Sequence, residues 1–120
     1  MTLANKELGR QGESLAARFL QKKGLRILER NFRTRSGEID LVARDKKELV
    51  FVEVKTRSGS AFGSGLEAVG PQKCRQIVRV AQEYLLGNGG FDQAIRFDVI
   101  GVTMADTISF EHIKNAFDAG

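Results

Sequence analysis

The chain has 120 residues, 42% of them apolar and 28% charged, with a formal net charge of +4. That is the mixture of one ordinary globular domain spanning 1–120, and it excludes disordered, collagenous and low-complexity classes. No apolar run reaches the roughly 20 residues that span a bilayer, the first residues lack a signal-peptide core, and the single cysteine, Cys74, excludes a disulfide framework or a Cys-rich zinc site, so a reduced, cytoplasmic setting is expected.

Residues 4–23 are predicted to form a helix, with Leu8, Gly12, Leu15, Ala16, Phe19 and Leu20 on one stripe. Lys22 and Lys23 suit its last turn, and Gly24 suits its C-cap. Residues 25–33 read as a strand and 34–37 as a turn. Strands follow at 38–44 and 49–56, joined by a tight hairpin at Asp45-Lys46-Lys47-Glu48. Residues 57–65 are rich in Gly and Ser and are expected to form a mobile loop. Pro71 opens a second helix over 71–86, with Cys74, Ile77, Val78, Ala81 and Leu85 on its apolar face. Residues 94–102 and 107–113 read as two further strands, and the C-terminal tail is expected to fray. There is no internal repeat and no linker, and the order α-β-β-β-α-β-β predicts one mixed α/β layer fold.

The charge is uneven. Residues 1–60 hold 14 basic and 8 acidic side chains, net +6, whereas residues 61–120 hold 5 and 7, net −2. A basic half suits a polyanionic partner such as nucleic acid, although a solvated surface can carry the same excess.

The first hairpin concentrates the chemistry. With the turn centred between Lys46 and Lys47, facing residues sum to 93, so Asp40 lies opposite Glu53 and Glu38 opposite Lys55. Facing residues project to one side, and strand side chains alternate, so Asp40, Glu53 and Lys55 should converge. Ile39, Leu41 and Ala43 with Val50, Val52 and Val54 make the opposite, core face. Two carboxylates and a lysine beside a covered sheet are costly unless compensated, and a divalent metal would compensate them. Mg²⁺ or Mn²⁺ takes one or two carboxylates plus water and phosphate oxygens, and a lysine beside it can assist an attacking water. A plain ion-pair ladder at a sheet edge would use the same residues.

The string Gly37-Glu38-Ile39-Asp40-Leu41…Phe51-Val52-Glu53-Val54-Lys55-Thr56-Arg57, with Gly12-Glu13, Arg30-Asn31-Phe32-Arg33, Lys73, Ala81, Arg96-Phe97-Asp98-Val99-Ile100 and Asn115-Ala116-Phe117, resembles the bacterial YraN family across essentially the whole chain. Its Asp40…Glu53-Val54-Lys55 core is similar to the PD-(D/E)xK, or restriction-endonuclease-like, nuclease superfamily and to archaeal Holliday-junction resolvases. The resemblance implies a central mixed sheet flanked by helices with a metal site at one sheet end. Asp40 and Glu53 match the metal-binding acids, Lys55 the catalytic lysine and Glu13 the first-helix acid, which would complete the carboxylate shell of the metal. The superfamily's proline before the first acid is replaced by Ile39.

The implied activity is Mg²⁺- or Mn²⁺-dependent hydrolysis of phosphodiester bonds in DNA, with branched or structured DNA suggested by the resolvase likeness and a homodimer by the need for two cuts. A non-catalytic nucleic-acid-binding or protein-interaction module is the alternative. Arg33, Arg35, Arg57 and Lys73 are candidate phosphate contacts, against the plainer reading of solvated cations. Glu38 is a candidate supporting acid for Lys55. Phe62 is a candidate base-stacking residue, against a loop anchor. His112 reads as a partly exposed strand residue, and Cys74 as inert core.

Overall fold

A computed structural model describes residues 3–58 and 69–119. The chain runs α1 (Leu3–Lys22), β1 (Arg26–Thr34), β2 (Gly37–Asp45), β3 (Glu48–Ser58), α2 (Pro71–Gly87), β4 (Ile95–Met104) and β5 (Ile108–Phe117). The five strands form one sheet in the order β1-β2-β3-β4-β5, with β3 and β4 parallel and the other neighbours antiparallel. Parallel neighbours need a crossover, and α2 lies within it. The result is an α/β mixed sheet flanked by two helices, compatible with a restriction-endonuclease-like fold.

Local sequence explains most boundaries. Gly24 ends α1 in the left-handed region at φ 98°, and the Leu25 N–H closes back on the Leu20 carbonyl at 3.0 Å. Pro71 occupies the first turn of α2, where a missing N–H costs nothing. The expected fraying of the C-terminal tail is not observed, because β5 continues to Phe117. Phe117 stacks on Phe97 with ring centroids 5.0 Å apart, and that burial holds the strand end down. Phe62 and the greater part of the 57–65 loop lie outside the described residues, while Arg57 and Ser58 extend β3.

Two apolar layers sandwich the sheet. Under α1, Ala16, Ala17 and Leu20 pack on Leu41, Ala43, Val50, Val52, Ile100 and Val102. Under α2, Ile77, Val80, Ala81, Tyr84 and Leu85 pack on Val42, Leu49, Phe51 and Phe97. The buried face of α2 is therefore rotated from the predicted one. Val80 and Tyr84 enter the core, while Cys74 and Val78 are half-buried at its margin. Tyr84 earns its place by edge-on contacts to Phe32 and Phe51, at 5.1 and 5.8 Å between centroids.

Ile39 also departs from the predicted face. It is buried in the α2 layer, not with Leu41 and Ala43 in the α1 layer. The alternation breaks beside Asn31 of β1, whose φ of 53° is left-handed. Asn tolerates that region through its short polar side chain. The break falls at Asp40, the residue that begins the candidate site.

Candidate functional site

The β2–β3 pairing sums to 93 from Asp45↔Glu48 through Leu41↔Val52, as the turn predicts. Beyond Leu41 the ladder gives way, and Asp40 turns its carboxylate onto the next strand. The Val54 N–H donates to Asp40 Oδ2 at 2.8 Å. This places Asp40 and Glu53 side by side, and the two carboxyl groups share a hydrogen bond.

These acids line a cavity of about 440 Å³ together with Glu13, Glu38, Thr56 and Lys73. Both helices contribute to it, α1 through Glu13 and α2 through Lys73. α1 reaches the sheet end because Gly12 has no side chain: a Cβ there would fall on the Thr56 side chain, 2.7 Å from its Cγ2. Asn31 hydrogen-bonds Glu13, and Arg30 reaches Ser14 Oγ at 2.8 Å, so β1 ties down the same helix turn.

Burial dominates the electrostatics. It pushes Glu53 up to about 8, and the neighbouring Asp40 carboxylate pushes the same way, while Lys73 and Lys55 pull back. Burial also raises Asp40, against the pull of the Val54 N–H and Glu53. Burial and the close approach of the two carboxyl groups therefore both work against charging the pair fully. Glu13 is raised to about 7, by burial first and by Asp40 and Glu38 after it. Lys73 Nζ stands 3.8 Å from Glu53 Oε2, and the Glu53 side chain is only 14% exposed.

Of the residues singled out in the sequence, Asp40, Glu53 and Glu13 come together, with Glu38 on the same wall. Lys55 lies two residues along β3 from Glu53, half-buried, and its charge is felt at that carboxylate. Glu38 pairs with Arg33 Nε at 2.8 Å, and the regular β2–β3 register ends at Leu41, short of Glu38. Arg33 is thus brought to the rim, while Arg35 sits exposed in the β1–β2 turn and Arg57 half-buried near the end of β3. Lys73 faces an acid, where the sequence offered only a helix-end cation or a solvated one. Arg30 and Asn31 were quoted in the family-like string but given no role by sequence reasoning; the physical signal for Asn31 was that asparagine is at home in left-handed backbone.

Among the described residues, no three His, Cys, Asp or Glu side chains are grouped so as to hold a metal ion. The donor set that fits a hard divalent cation is the Asp40–Glu53 pair itself. Mg²⁺ commonly takes one or two carboxylates and fills its remaining positions with water and phosphate oxygens. A cation there would offset the paired negative charge that burial disfavours.

A second polar cluster lies at the other end of the sheet. Asp98 is fully buried and accepts from His112 Nε2 at 2.8 Å, Arg96 Nε at 3.0 Å and the Asn115 N–H at 3.0 Å. Arg96 also donates to Asp45 Oδ2 and Glu48 Oε1, each at 2.9 Å. Burial opposes the charge on Asp98, yet the bonds from His112 and Arg96 hold its carboxyl below the usual range. His112 is a half-buried residue of β5, as expected, and its side chain is only 2% exposed because it closes this network.

Comparison with known proteins agrees with the full-length resemblance. The chain is 54% identical over 112 residues to a UPF0102 protein of Anaeromyxobacter dehalogenans, covering 92% of this chain and 84% of the relative. It is 50% identical over 119 residues to a UPF0102 protein of Geobacter metallireducens, covering 98% of each. A UPF0102 protein of Geobacter sulfurreducens is 51% identical over 116 residues, covering 95% of this chain and 91% of the relative. No helix among the described residues is long and apolar enough to cross a membrane. The profile described as "Uncharacterised protein family UPF0102" matches residues 12–102, a span that holds Glu13, Asp40, Glu53, Lys55 and Lys73, and the chain belongs to that family, the YraN family.

Proposed function

We propose that the protein is a divalent-metal-dependent nuclease that hydrolyses phosphodiester bonds in DNA. The observation that carries this reading is the pairing of Asp40 and Glu53 on one cavity wall, with Asp40 Oδ2 held by the Val54 N–H at 2.8 Å and the Glu53 side chain only 14% exposed. Two largely buried carboxyl groups side by side form a donor set that a divalent cation fits. Mg²⁺ or Mn²⁺ bound there would polarise the phosphate and acidify an attacking water.

Each neighbouring residue has a physical role in that chemistry. Asp40 is fixed by the Val54 N–H, so one ligand oxygen is already oriented. Glu53 presents its carboxyl from β3, between the charges of Lys73 and Lys55. Lys55 orients water and offsets charge developing on the phosphate. Glu13 adds a third carboxyl group on the cavity wall, held by Asn31. Arg33, Arg35, Arg57 and the outer part of Lys73 supply positive charge for the phosphate backbone. A homodimer would offer two such sites to a duplex or junction.

The test is cleavage of branched, single-stranded and duplex DNA with Mg²⁺ or Mn²⁺ by the wild-type protein, Asp40→Asn and Lys55→Ala. The expected result is nicking by the wild type and a loss of about 100-fold or more in each variant. Equal nicking by all three proteins would assign the activity to a contaminant and remove the reading. Absence of cleavage with salt-sensitive DNA binding would replace it with a non-catalytic binding module.

A further inference from the structure

The hairpin end of the sheet, remote from the acid pair, holds an open cavity of about 870 Å³. Lys23 reaches it from just beyond α1, Lys46 and Lys47 from the β2–β3 turn, and Lys114 from β5, with Arg96 beneath. Two carboxylates, Asp45 and Glu48, also line it. Both accept from Arg96 Nη1, so they are engaged with the cation beneath them. Among the described residues, Lys46, Lys47 and Lys114 make no ion pair that would neutralise them.

Lys23 is held in place. Its Nζ donates to His112 Nδ1 at 3.1 Å and lies 4.7 Å from the centre of the Phe19 ring. His112 in turn donates from Nε2 to the buried Asp98. The Asp98–His112–Lys23 chain therefore orders one cation of the cavity in advance, lowering the entropy lost on binding.

The lining chemistry selects the ligand. The lysines come from three separate segments and are spread around the mouth, which suits a run of phosphates better than one. Among the described residues, no aromatic side chain lines the cavity to stack a base. Lysines act as strongly hydrated point charges, the contact type that reads backbone without sequence.

We propose that this lysine-rimmed cavity is a second, non-catalytic contact for the phosphate backbone of a nucleic acid. Asp45 is five residues along β2 from Asp40, which puts the cavity about 17 Å along the strand from the acid pair. Resting on the nuclease reading, the cavity would hold a second arm of the same DNA molecule while the first lies at Asp40 and Glu53.

The test is DNA binding by fluorescence anisotropy in EDTA, so that cleavage plays no part. It compares a four-way junction with a short linear duplex across a salt series. The proteins are the wild type, the triple variant Lys46→Ala/Lys47→Ala/Lys114→Ala, the matching triple arginine variant and Asp40→Asn. The alanine variant should lose about 10-fold or more in junction affinity at 0.1 M salt, and its log–log salt slope should fall by about two to three. The linear duplex should lose less, and the arginine variant should bind like the wild type. Unchanged junction affinity and slope in the alanine variant, with normal wild-type binding, would overturn the cavity's role and leave the nuclease reading standing. In a parallel assay with Mg²⁺, loss of cleavage in Asp40→Asn together with the alanine variant's loss of junction affinity would support both. Displacement of DNA by micromolar ATP would overturn the proposal in favour of a small phosphate ligand.

Discussion

Gly12 lies directly over Thr56, so closely that a Cβ on the helix would fall within 2.8 Å of the Cβ on the strand. This contact lets α1 descend onto β3 and carries the next residue, Glu13, to the wall of the acid cavity. Gly12→Ala should therefore destabilise the protein, although alanine is the better helix former. The overpacking should cost about 1–3 kcal/mol and lower Tm by several degrees. Adding Thr56→Ala should recover only part of the loss, because the Thr56 Cβ itself remains in the way. An unchanged melt for Gly12→Ala would mean that the helix can shift at no cost.

The buried Asp98 predicts a second stability effect. Its carboxylate is the common acceptor for Arg96, His112 and the Asn115 N–H. Asp98→Ala leaves a buried guanidinium short of its main partner and should cost about 3–5 kcal/mol, measured by urea unfolding. The folded carboxyl is held below its usual range, so its contribution is present above the unfolded value and is lost as pH falls through the folded one. The cost of Asp98→Ala should accordingly shrink toward strongly acidic pH. A cost that stays constant from neutral to strongly acidic pH would contradict this assignment.

The Lys73–Glu53 pair predicts an effect that separates a site residue from a solvated one. Lys73 lowers the proton affinity of Glu53 from 3.8 Å away. Lys73→Met should make Glu53 harder to ionise and shift the rise of any metal-dependent activity toward higher pH, with little change in Tm, since the pair is partly exposed. An unshifted pH profile would return Lys73 to the role of a simple phosphate contact.

These residues also mark what the sequence can and cannot disclose. The meeting of Asp40 with Glu53 was legible only in outline: the two-residue turn fixes the register as far as Leu41↔Val52, and beyond it the Val54 N–H, not a ladder pair, draws Asp40 onto β3. The stripe of α1 and the Gly24 cap were legible because each rests on local geometry. Tyr84 was missed because apolar periodicity gives no weight to an aromatic ring that needs partners from two strands. Asp98 and Arg96 were missed because alternation treats a charged residue in a strand as outward-facing, whereas a central strand covered on both faces buries it with its counter-ions. The switch of Ile39 between layers follows a left-handed residue on the neighbouring strand, which no pattern within β2 records.

The last prediction concerns pH and metal together. Glu53 has its carboxyl raised from 4.5 to about 8, and Glu13 from 4.5 to about 7, chiefly by burial. The folded state thus holds protons that the unfolded chain releases between those values. Their contribution to stability is complete below about 4.5 and is lost as pH rises through about 7 for Glu13 and about 8 for Glu53. In EDTA, the Tm of the wild type should fall from pH 5 to pH 8.5, and Glu53→Gln should fall less and melt higher at the alkaline end, by about 1 kcal/mol or more in stability. Mn²⁺ should reverse the order. A cation binds the ionised carboxylates, so it should stabilise the wild type most at pH 8 and do little at pH 5, where protons compete. Glu53→Gln and Asp40→Asn should lose most of that gain. Equal Mn²⁺ stabilisation of the wild type and both variants would place the cation elsewhere.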